Sequence, residues 1–378
     1  MSDDALSESD ALHRRVQELV RAPDDGFDAL ALDIARHQAR HCTGFRRLVE
    51  SKSSALDTVD SIPAVPADAF RFSRVACHPP ELDAVRFHTS GTTDAARGVH
   101  PMRRTDTYRQ IAVRGGRQAL VTAWPQRRVV VALAPNPGAV PTSSLGFMMR
   151  AFMEELDGRA LVTDPTGAAF DPDSPARWLA TPHGIDITGL SRAALVALER
   201  QEPLLVLSTA FALVALLDEL GGKKLRTPKH TVIMQTGGFK GRTRSVAPEK
   251  LRARVARVFG IAKERVVGEY GMTELSSQLY EGTLPGAELE GEAGLYLPPP
   301  WLRVTAVDPI TLRPVPEGEV GIARFVDLGN VDSAVAIVTQ DRIVQRAGGI
   351  ELLGRRPGAP LRGCSLAAEE LIVTSTRA

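Results

Sequence analysis

Hydrophobic residues recur with a helical period near the start of the chain. The apolar positions on one helical face are Leu12, Val16, Leu19 and Val20. Further apolar residues continue this pattern over residues 27–49. We therefore predict that residues 5–50 are helical and that residues 1–60 form an N-terminal helical cap.

After residue 60, short apolar runs alternate with amphipathic segments. Residues 128–134 and 231–235 are runs of strand length, whereas residues 106–123 and 248–259 have a helical period. Such alternation predicts an α/β core with layers of mostly parallel sheet over residues 61–300.

The longest apolar stretch, residues 204–217, is interrupted by Ser208 and Thr209. It is too short to span a bilayer. We predict a buried strand that leads into a helix, and no transmembrane segment.

Beyond Pro300 the pattern becomes β-rich. Apolar strand-like segments at residues 302–307 and 321–326 are joined through turn residues 316–318. They predict a small β-subdomain over residues 301–353, followed by a short C-terminal segment at residues 354–378.

The composition is that of a soluble globular enzyme. The chain has 378 residues, of which 43% are hydrophobic and 24% charged, and is long enough for two or three packed lobes. Its 46 basic and 45 acidic residues are interleaved and its aromatic content is 5%, which argues against a nucleic-acid surface or a charged membrane patch. The N-terminal segment lacks the order of a secretory signal, and Cys42, Cys77 and Cys364 are too widely spaced to suggest a disulfide framework. We expect a cytoplasmic protein; the sequence is compatible with an oligomer.

Residues 88–93, HTSGTT, form a loop with the composition of a phosphate site, here called the first signature loop. Gly91 lets the backbone approach closely, while hydroxyl and main-chain N–H groups supply donors to an anion. An ordinary solvated turn has a similar composition. The assignment therefore needs a second motif.

That motif is residues 269–274, EYGMTE, here called the second signature loop, which follows a short apolar run. One alternative is that Thr273 and Glu274 begin a helix, because hydroxyl and carboxylate side chains favour helix N-termini. The other is a ligand-binding loop at a strand end.

Three further motifs accompany the two loops: QTGGFKGR at 235–242, TQD at 339–341 and LGRRPGAPLRGCSL at 353–366. Together the motifs resemble the acyl-protein synthetases, the LuxE-type ligases of the adenylate-forming superfamily, which activate fatty acids for the bacterial luciferase system. The resemblance implies the large-domain fold of that superfamily, with layered, mostly parallel sheets and a small β-subdomain. Few residues follow Arg355, so it also implies that the C-terminal lid domain and its lysine are largely absent.

The resemblance implies ATP-dependent conversion of a carboxylic acid into an acyl adenylate. The residues that it assigns to ATP or AMP are Thr89, Ser90, Gly91, Thr92, Thr93, Gly237, Gly238, Tyr270, Gly271, Asp341 and Arg355. Thr273 would bond the α-phosphate and Glu274 would hold Mg²⁺, which prefers oxygen ligands. Asp94 departs from the family pattern, because it replaces a glycine and places negative charge near the proposed phosphates.

Lys240 and Arg242 are candidates to replace the missing lid lysine. Either cation would reach the α-phosphate or the substrate carboxylate. The alternative is that both coat the start of the following helix.

Cys364 corresponds, by the same resemblance, to the cysteine that accepts the acyl group. Nearby Arg355, Arg356 and Arg362 would favour its reactive thiolate. A buried structural cysteine is the alternative. The resemblance also implies a partner similar to an acyl-CoA reductase; free CoA or a carrier-protein thiol is the alternative acceptor, and a catalytically weak scaffold subunit is the alternative function.

Substrate identity is less constrained. Residues 143–149 and 205–211 are apolar segments that suit either a tunnel for an alkyl chain or the core, and we predict a medium or long fatty acid rather than an aromatic acid. His37 and His41 are spaced i, i+4 beside Cys42, and His78 follows Cys77, but neither the glutamate of an HExxH motif nor a CxxC pair accompanies them. We therefore expect these residues to have helix-surface or core roles rather than to form a zinc site.

Overall fold

The computed structural model describes residues 2–89, 97–123, 127–156, 171–237 and 247–356. Their contacts form two compact units. Unit 1 comprises the residues up to Arg114, Gly271–Leu279 and the residues from Leu295 onward; unit 2 comprises Gly115–Tyr270 and Tyr280–Gly294. Each unit is therefore built from separate stretches of the chain, whereas the predicted domains are consecutive segments.

Unit 1 begins with the predicted helices. They are α1 (Asp3–Arg21), α2 (Phe27–His41) and α3 (Thr43–Ser51). A short helix that the sequence pattern does not predict, α4 (Ala69–Phe72), follows them. The Ser2 side chain caps α1 by accepting from Ala5 N–H, and two aspartates in the first turn favour the same helix end. Helix α5 (Asp106–Leu120) begins in unit 1 and ends in unit 2.

The sheet of unit 1 is mainly antiparallel, and most of its strands lie in the region that was predicted to be β-rich. Its strands are β12 (Leu302–Val307), β13 (Val320–Asp327), β14 (Ala336–Arg346), β15 (Gly349–Arg355) and β11 (Leu295–Leu297), in that order, with β1 (Val65–Pro66) parallel to β14. A separate hairpin pairs β2 (Val85–His88) with β3 (Val99–Met102). The first signature loop lies between these two strands of the hairpin.

The sheet of unit 2 is parallel. Its order is β4 (Val129–Leu133), β7 (Leu204–Thr209), β8 (Val232–Thr236) and β9 (Val266–Tyr270). The helices are α6 (Ser144–Glu155), α7 (Ile187–Glu199), α8 (Ala210–Leu220) and α9 (Pro248–Phe259), and the short strands β5 (Ala180–Thr181) and β6 (Gly184–Ile185) form a hairpin. Strand β10 (Leu279–Glu281) lies where the chain passes from unit 1 to unit 2. These elements confirm the predicted α/β core.

Local signals explain the ends of two helices in unit 2. The strand-to-helix prediction for residues 204–217 is confirmed, because the Thr209 side chain caps α8 at Ala212 N–H and Gly221 ends it with φ 56°. Helix α9 has proline in its first turn and ends at Gly260 with φ 64°. No helix in the described ranges is long and apolar enough to cross a membrane.

The carboxyl ends of the parallel strands share one edge of the sheet in unit 2. Thr209 pairs with Thr236, and Thr236 pairs with Glu269. Ligands of open α/β sheets bind beyond such edges. Glu269, which opens the second signature loop, is therefore placed where a site is expected.

Candidate functional site

Thr89 closes the neck of the first signature loop. Its Oγ1 accepts from Gly98 N–H at 2.7 Å, and its own N–H donates to the Gly98 carbonyl at 2.8 Å. The Thr89 hydroxyl oxygen is thus engaged by the backbone of Gly98. Ser90, Gly91, Thr92 and Thr93, which are predicted to bind phosphates, lie outside the described residues, as does Asp94.

His100, on β3, connects the hairpin of the first signature loop to the second signature loop. Its Nδ1 lies 2.7 Å from the Thr273 carbonyl oxygen, and its Nε2 lies 2.9 Å from Ser333 Oγ. A carbonyl only accepts, so Nδ1 carries the proton and Nε2 accepts from the serine hydroxyl. Burial lowers the pKa of His100 to about 4, which keeps the ring neutral in this role.

A buried polar loop at residues 327–333, here called the supporting loop, holds the segment that follows Thr273. Asn330 Nδ2 donates to the Glu274 carbonyl at 2.9 Å. Asp327 accepts from the N–H groups of Ser276 and Ser277, both at 2.9 Å. Residues 273–277 are therefore fixed through their backbone.

Thr273 and Glu274 are each only 3% exposed, and no helix begins at them, since residues 271–278 are turns and irregular backbone. The helix N-terminus alternative is wrong. The carbonyls of Thr273 and Glu274 are instead bonded by the side chains of His100 and Asn330, in place of the backbone hydrogen bonds of a helix. Binding residues lie disproportionately on loops that a rigid scaffold positions, as the second signature loop is positioned here.

The supporting loop is in turn held by the N-terminal helices. Asp332 accepts from Ser9 Oγ at 2.5 Å and lies 3.1 Å from His13 Nε2 and 3.2 Å from Arg103 Nε. Burial alone would raise the pKa of Asp332, but the bonds from His13 and Ser9 and the charge of Arg103 hold it well below its usual range. The aspartate is therefore ionised and joins α1 to the loop.

Gln38, on α2, makes a second connection. Its amide donates to the carbonyls of Asn330 and Val331 at 2.7 and 3.0 Å and accepts from Val335 N–H at 3.0 Å. Sequence reasoning missed these supporting residues. The available signal was the polar string DLGNVDS between two apolar strand segments.

Glu269 is a further residue whose role sequence reasoning missed. It is 4% exposed, and burial raises the pKa of its carboxyl to about 7, opposed by a hydrogen bond with the Thr236 side chain. A glutamate inside the apolar run VVGEY was the signal that marked it. A buried carboxyl that titrates near neutrality at a strand end is a functional-site candidate.

Beyond Thr236, Gly237 adopts φ 72°, a left-handed conformation that glycine takes at little cost. The chain thus turns sharply where we predicted close approach to adenine. Tyr270 ends β9 and is half-buried, and Gly271 follows it in unit 1. Gly238, Lys240 and Arg242 lie outside the described residues.

Asp341 and Arg355, both assigned to the nucleotide, are brought together. Arg355 Nε lies 3.2 Å from Asp341 Oδ1, and the two side chains are 16% and 15% exposed. The carboxylate is thereby oriented within the β-rich sheet, beside the register shift between Asp341 and Ile343. Cys364 lies outside the described residues.

Cys42 and Cys77 are buried. Burial raises the pKa of the Cys77 thiol, which disfavours the nucleophilic thiolate. The apolar segments discussed as an alkyl tunnel include Met148 and Met149, which are 2% and 0% exposed on α6, and the fully buried β7. In the described structure these segments contribute to the packed interior of unit 2.

The parallel and antiparallel sheets with their two signature loops define the adenylate-forming fold. Among solved structures, an open conformation of 2-hydroxyisobutyryl-CoA ligase with 2-HIB-AMP and CoA is similar at a TM-score of 0.59 and 15% identity, over 86% of this chain and 73% of that chain. The same ligase in the postadenylation state with 2-HIB-AMP gives a TM-score of 0.60 at 15% identity, over 92% and 73% of the two chains. At such identities the likeness concerns the fold, and it confirms the predicted fold class.

The family is shown by sequence. The family model for "Acyl-protein synthetase, LuxE" matches residues 20–372, and the chain belongs to this family. The chain is also 25% identical over 158 residues to the long-chain-fatty-acid–luciferin-component ligase of Vibrio harveyi. That match covers 39% of this chain and 39% of the length of the Vibrio protein. The predicted resemblance is confirmed.

Proposed function

We propose that the protein uses ATP to convert a carboxylic acid, with a fatty acid as the expected substrate, into an acyl adenylate. The observation that carries this proposal is the bond from His100 to the Thr273 carbonyl. It links the hairpin of the phosphate-type loop to the second signature loop within one unit. The family membership and the fold support the same reaction class.

The reaction needs an enzyme because a carboxylate is a poor electrophile. Its oxygen attacks the α-phosphorus of ATP, the bond to the β-phosphate oxygen breaks, and pyrophosphate leaves. Ser90 to Thr93 would donate to the β- and γ-phosphates, and Thr273 to the α-phosphate, where charge develops. Asp341, held by Arg355, would accept from the ribose hydroxyls.

Glu274 supplies the oxygen donor that a hard cation such as Mg²⁺ prefers. The bond from Asn330 to its carbonyl, which holds Glu274 next to Thr273, supports this assignment. Mg²⁺, when bound, would neutralise part of the phosphate charge. The protein's contribution is to hold the backbone of Thr273 and Glu274 through the bonds from His100 and Asn330.

For the second half-reaction, we propose that Cys364 is the acyl acceptor. Its thiolate attacks the acyl carbon of the adenylate, a thioester forms, and AMP leaves with the former carboxylate oxygen. Among the other cysteines, both Cys42 and Cys77 are buried. The acyl group would then pass to a partner similar to an acyl-CoA reductase.

Acid-dependent exchange of labelled pyrophosphate into ATP tests the activation step. We expect medium or long fatty acids to support exchange, and Thr92→Ala or Glu274→Gln to abolish it. Glu292→Gln is the matched control, because Glu292 is an exposed glutamate of unit 2 and should leave exchange unchanged.

The proposal would be contradicted if no acid in a panel of fatty and aryl acids supported pyrophosphate exchange. Exchange with aryl acids alone would contradict the fatty-acid assignment while leaving activation intact. Exchange together with direct, efficient transfer to added CoA, without a protein thioester, would replace Cys364 by an external acceptor.

A further inference from the structure

The two N-terminal helices bring together three side chains that commonly bind transition metals. Glu8 lies on α1, and His37 and His41 lie one turn apart on α2. Glu8 Oε2 is 3.1 Å from His37 Nδ1 and 3.5 Å from His41 Nε2, and the three ligand atoms all lie within 4.8 Å of one another. Zinc bonds of about 2.0–2.2 Å in tetrahedral geometry separate their ligands by about 3.3 Å. The two shorter separations therefore match a zinc site.

An unsatisfied nitrogen points to the same conclusion. His37 is fully buried, and among the residues that the structure describes its Nε2 has no hydrogen-bond partner. With Nδ1 donating to Glu8, Nε2 is left as an unprotonated acceptor facing Asp332, whose Oδ1 is 3.9 Å away. Two acceptors that face each other in the interior are unfavourable.

A metal on Nδ1 would remove this conflict, because the ring proton would then reside on Nε2 and be directed at Asp332. Metal-ligating histidines usually donate their other N–H to a carboxylate in this way. Asp332 already lies at the required side of the ring.

The charges on the ligands are suitable. Arg40 lies within ion-pair distance of Glu8, and an opposite charge so close favours the carboxylate form that binds a cation. Arg40 pairs with Glu8 Oε1 and leaves Oε2 directed at the histidines. Glu8 is 39% and His41 25% exposed at the side chain, which gives an ion and a water ligand access from solvent.

We propose that Glu8, His37 and His41 bind one Zn²⁺, with water as the fourth ligand. Two imidazole nitrogens and one carboxylate oxygen form a common zinc donor set. The ion would cross-link α1 to α2 and, through His37 and Asp332, brace the supporting loop. This site is separate from the proposed nucleotide site and does not depend on the proposed function.

Zinc titration calorimetry on the full chain carrying Cys364→Ser tests the site, since this background removes one thiolate that would also bind zinc. We expect one equivalent to bind and to raise Tm. His41→Ala should weaken binding about tenfold or more, and Glu8→Gln should do the same independently. His183→Ala, which removes an exposed imidazole of unit 2, is the matched control and should bind as the parent does.

Co²⁺ identifies the ligands by absorption. The proposed site predicts visible d–d bands without a thiolate charge-transfer band, and loss of those bands in His41→Ala. Absence of saturable Zn²⁺ binding, undiminished affinity in both His41→Ala and Glu8→Gln, or a thiolate charge-transfer band as the main feature would overturn the proposal.

Discussion

Arg355 Nε lies 3.2 Å from Asp341 Oδ1, and the two residues are register partners on β15 and β14. An arginine that holds one carboxylate oxygen orients the other lone pairs for a ligand. If Asp341 accepts from the ribose hydroxyls, this pair is part of the nucleotide site rather than an ordinary cross-strand ion pair.

We expect Asp341→Ala to weaken ATP binding about tenfold or more, because hydrogen bonds to a charged group contribute about 1.5–3 kcal/mol. Calorimetric titration with ATP measures the change. Glu351→Ala is the control, because it breaks an exposed ion pair on the same two strands. In that pair, Arg346 Nε lies 3.0 Å from Glu351 Oε1. Equal losses in both variants would show that the Asp341 pair acts only on the sheet.

His100 is predicted to act as a positioning residue. His100→Ala removes the donor to the Thr273 carbonyl, so the activation rate should fall about tenfold to a hundredfold, with a larger effect on kcat than on the KM for ATP. His100→Asn should retain more activity, because its amide can replace the Nδ1 donor. Steady-state pyrophosphate exchange separates kcat from KM.

A purely structural role for His100 predicts a different result. The Ala and Asn variants would then lose activity in proportion to their lost stability, with no rescue by asparagine. His230→Ala, an exposed histidine of unit 2, controls for loss of an imidazole elsewhere.

Glu269 predicts a specific pH dependence of stability. Burial raises its pKa from 4.5 in the unfolded chain to about 7 in the fold, so the folded state binds the proton more tightly. The resulting stabilisation is fully present below pH 4.5 and is lost as pH rises to about 7. Above that pH, the stability of Glu269→Gln relative to the wild type should be higher than at low pH by roughly 3 kcal/mol.

Chemical denaturation of both proteins across this pH range measures the effect. A stability difference between Glu269→Gln and wild type that does not change with pH would show that Glu269 keeps an ordinary pKa. A loss of pyrophosphate exchange in Glu269→Gln would show in addition that this carboxyl is needed for activation of the acid.

The sequence predicted most of the regular elements because their signals are local. Helix α9 has proline at its start and glycine just beyond its end, and the apolar run of β7 leads into a helix capped by Thr209. The two signature loops were predicted as strand-end loops for the same reason. The grouping of residues into two units has no local signal. Gly271–Leu279 belongs to unit 1, although it lies between two segments of unit 2 in the chain.

The hydrogen bonds that support the site could not be predicted from the sequence, because they join residues that are far apart in the chain. His100 and Thr273 are 173 positions apart, and Gln38 reaches residues almost 300 positions later. Nothing in the periodicity of either segment specifies such a contact. Glu8 likewise completes a cluster with His37 only after α1 packs on α2.

The two half-reactions should separate along the chain. Cys364→Ser should still form the adenylate and exchange pyrophosphate, yet carry no hydroxylamine-labile acyl group, because only the acceptor thiol is lost. Thr92→Ala should lose both activities. Cys42→Ala and Cys77→Ala, at buried thiols, should retain acylation once their stability is matched.

Intact mass spectrometry of the wild-type chain after incubation with ATP, Mg²⁺ and a long-chain fatty acid tests the central claim most directly. We predict a mass increase of one acyl group, located on Cys364 by peptide mapping and removed by neutral hydroxylamine. An unmodified chain that nevertheless transfers acyl groups to added CoA, or a Cys364→Ser chain acylated to the wild-type extent, would contradict it.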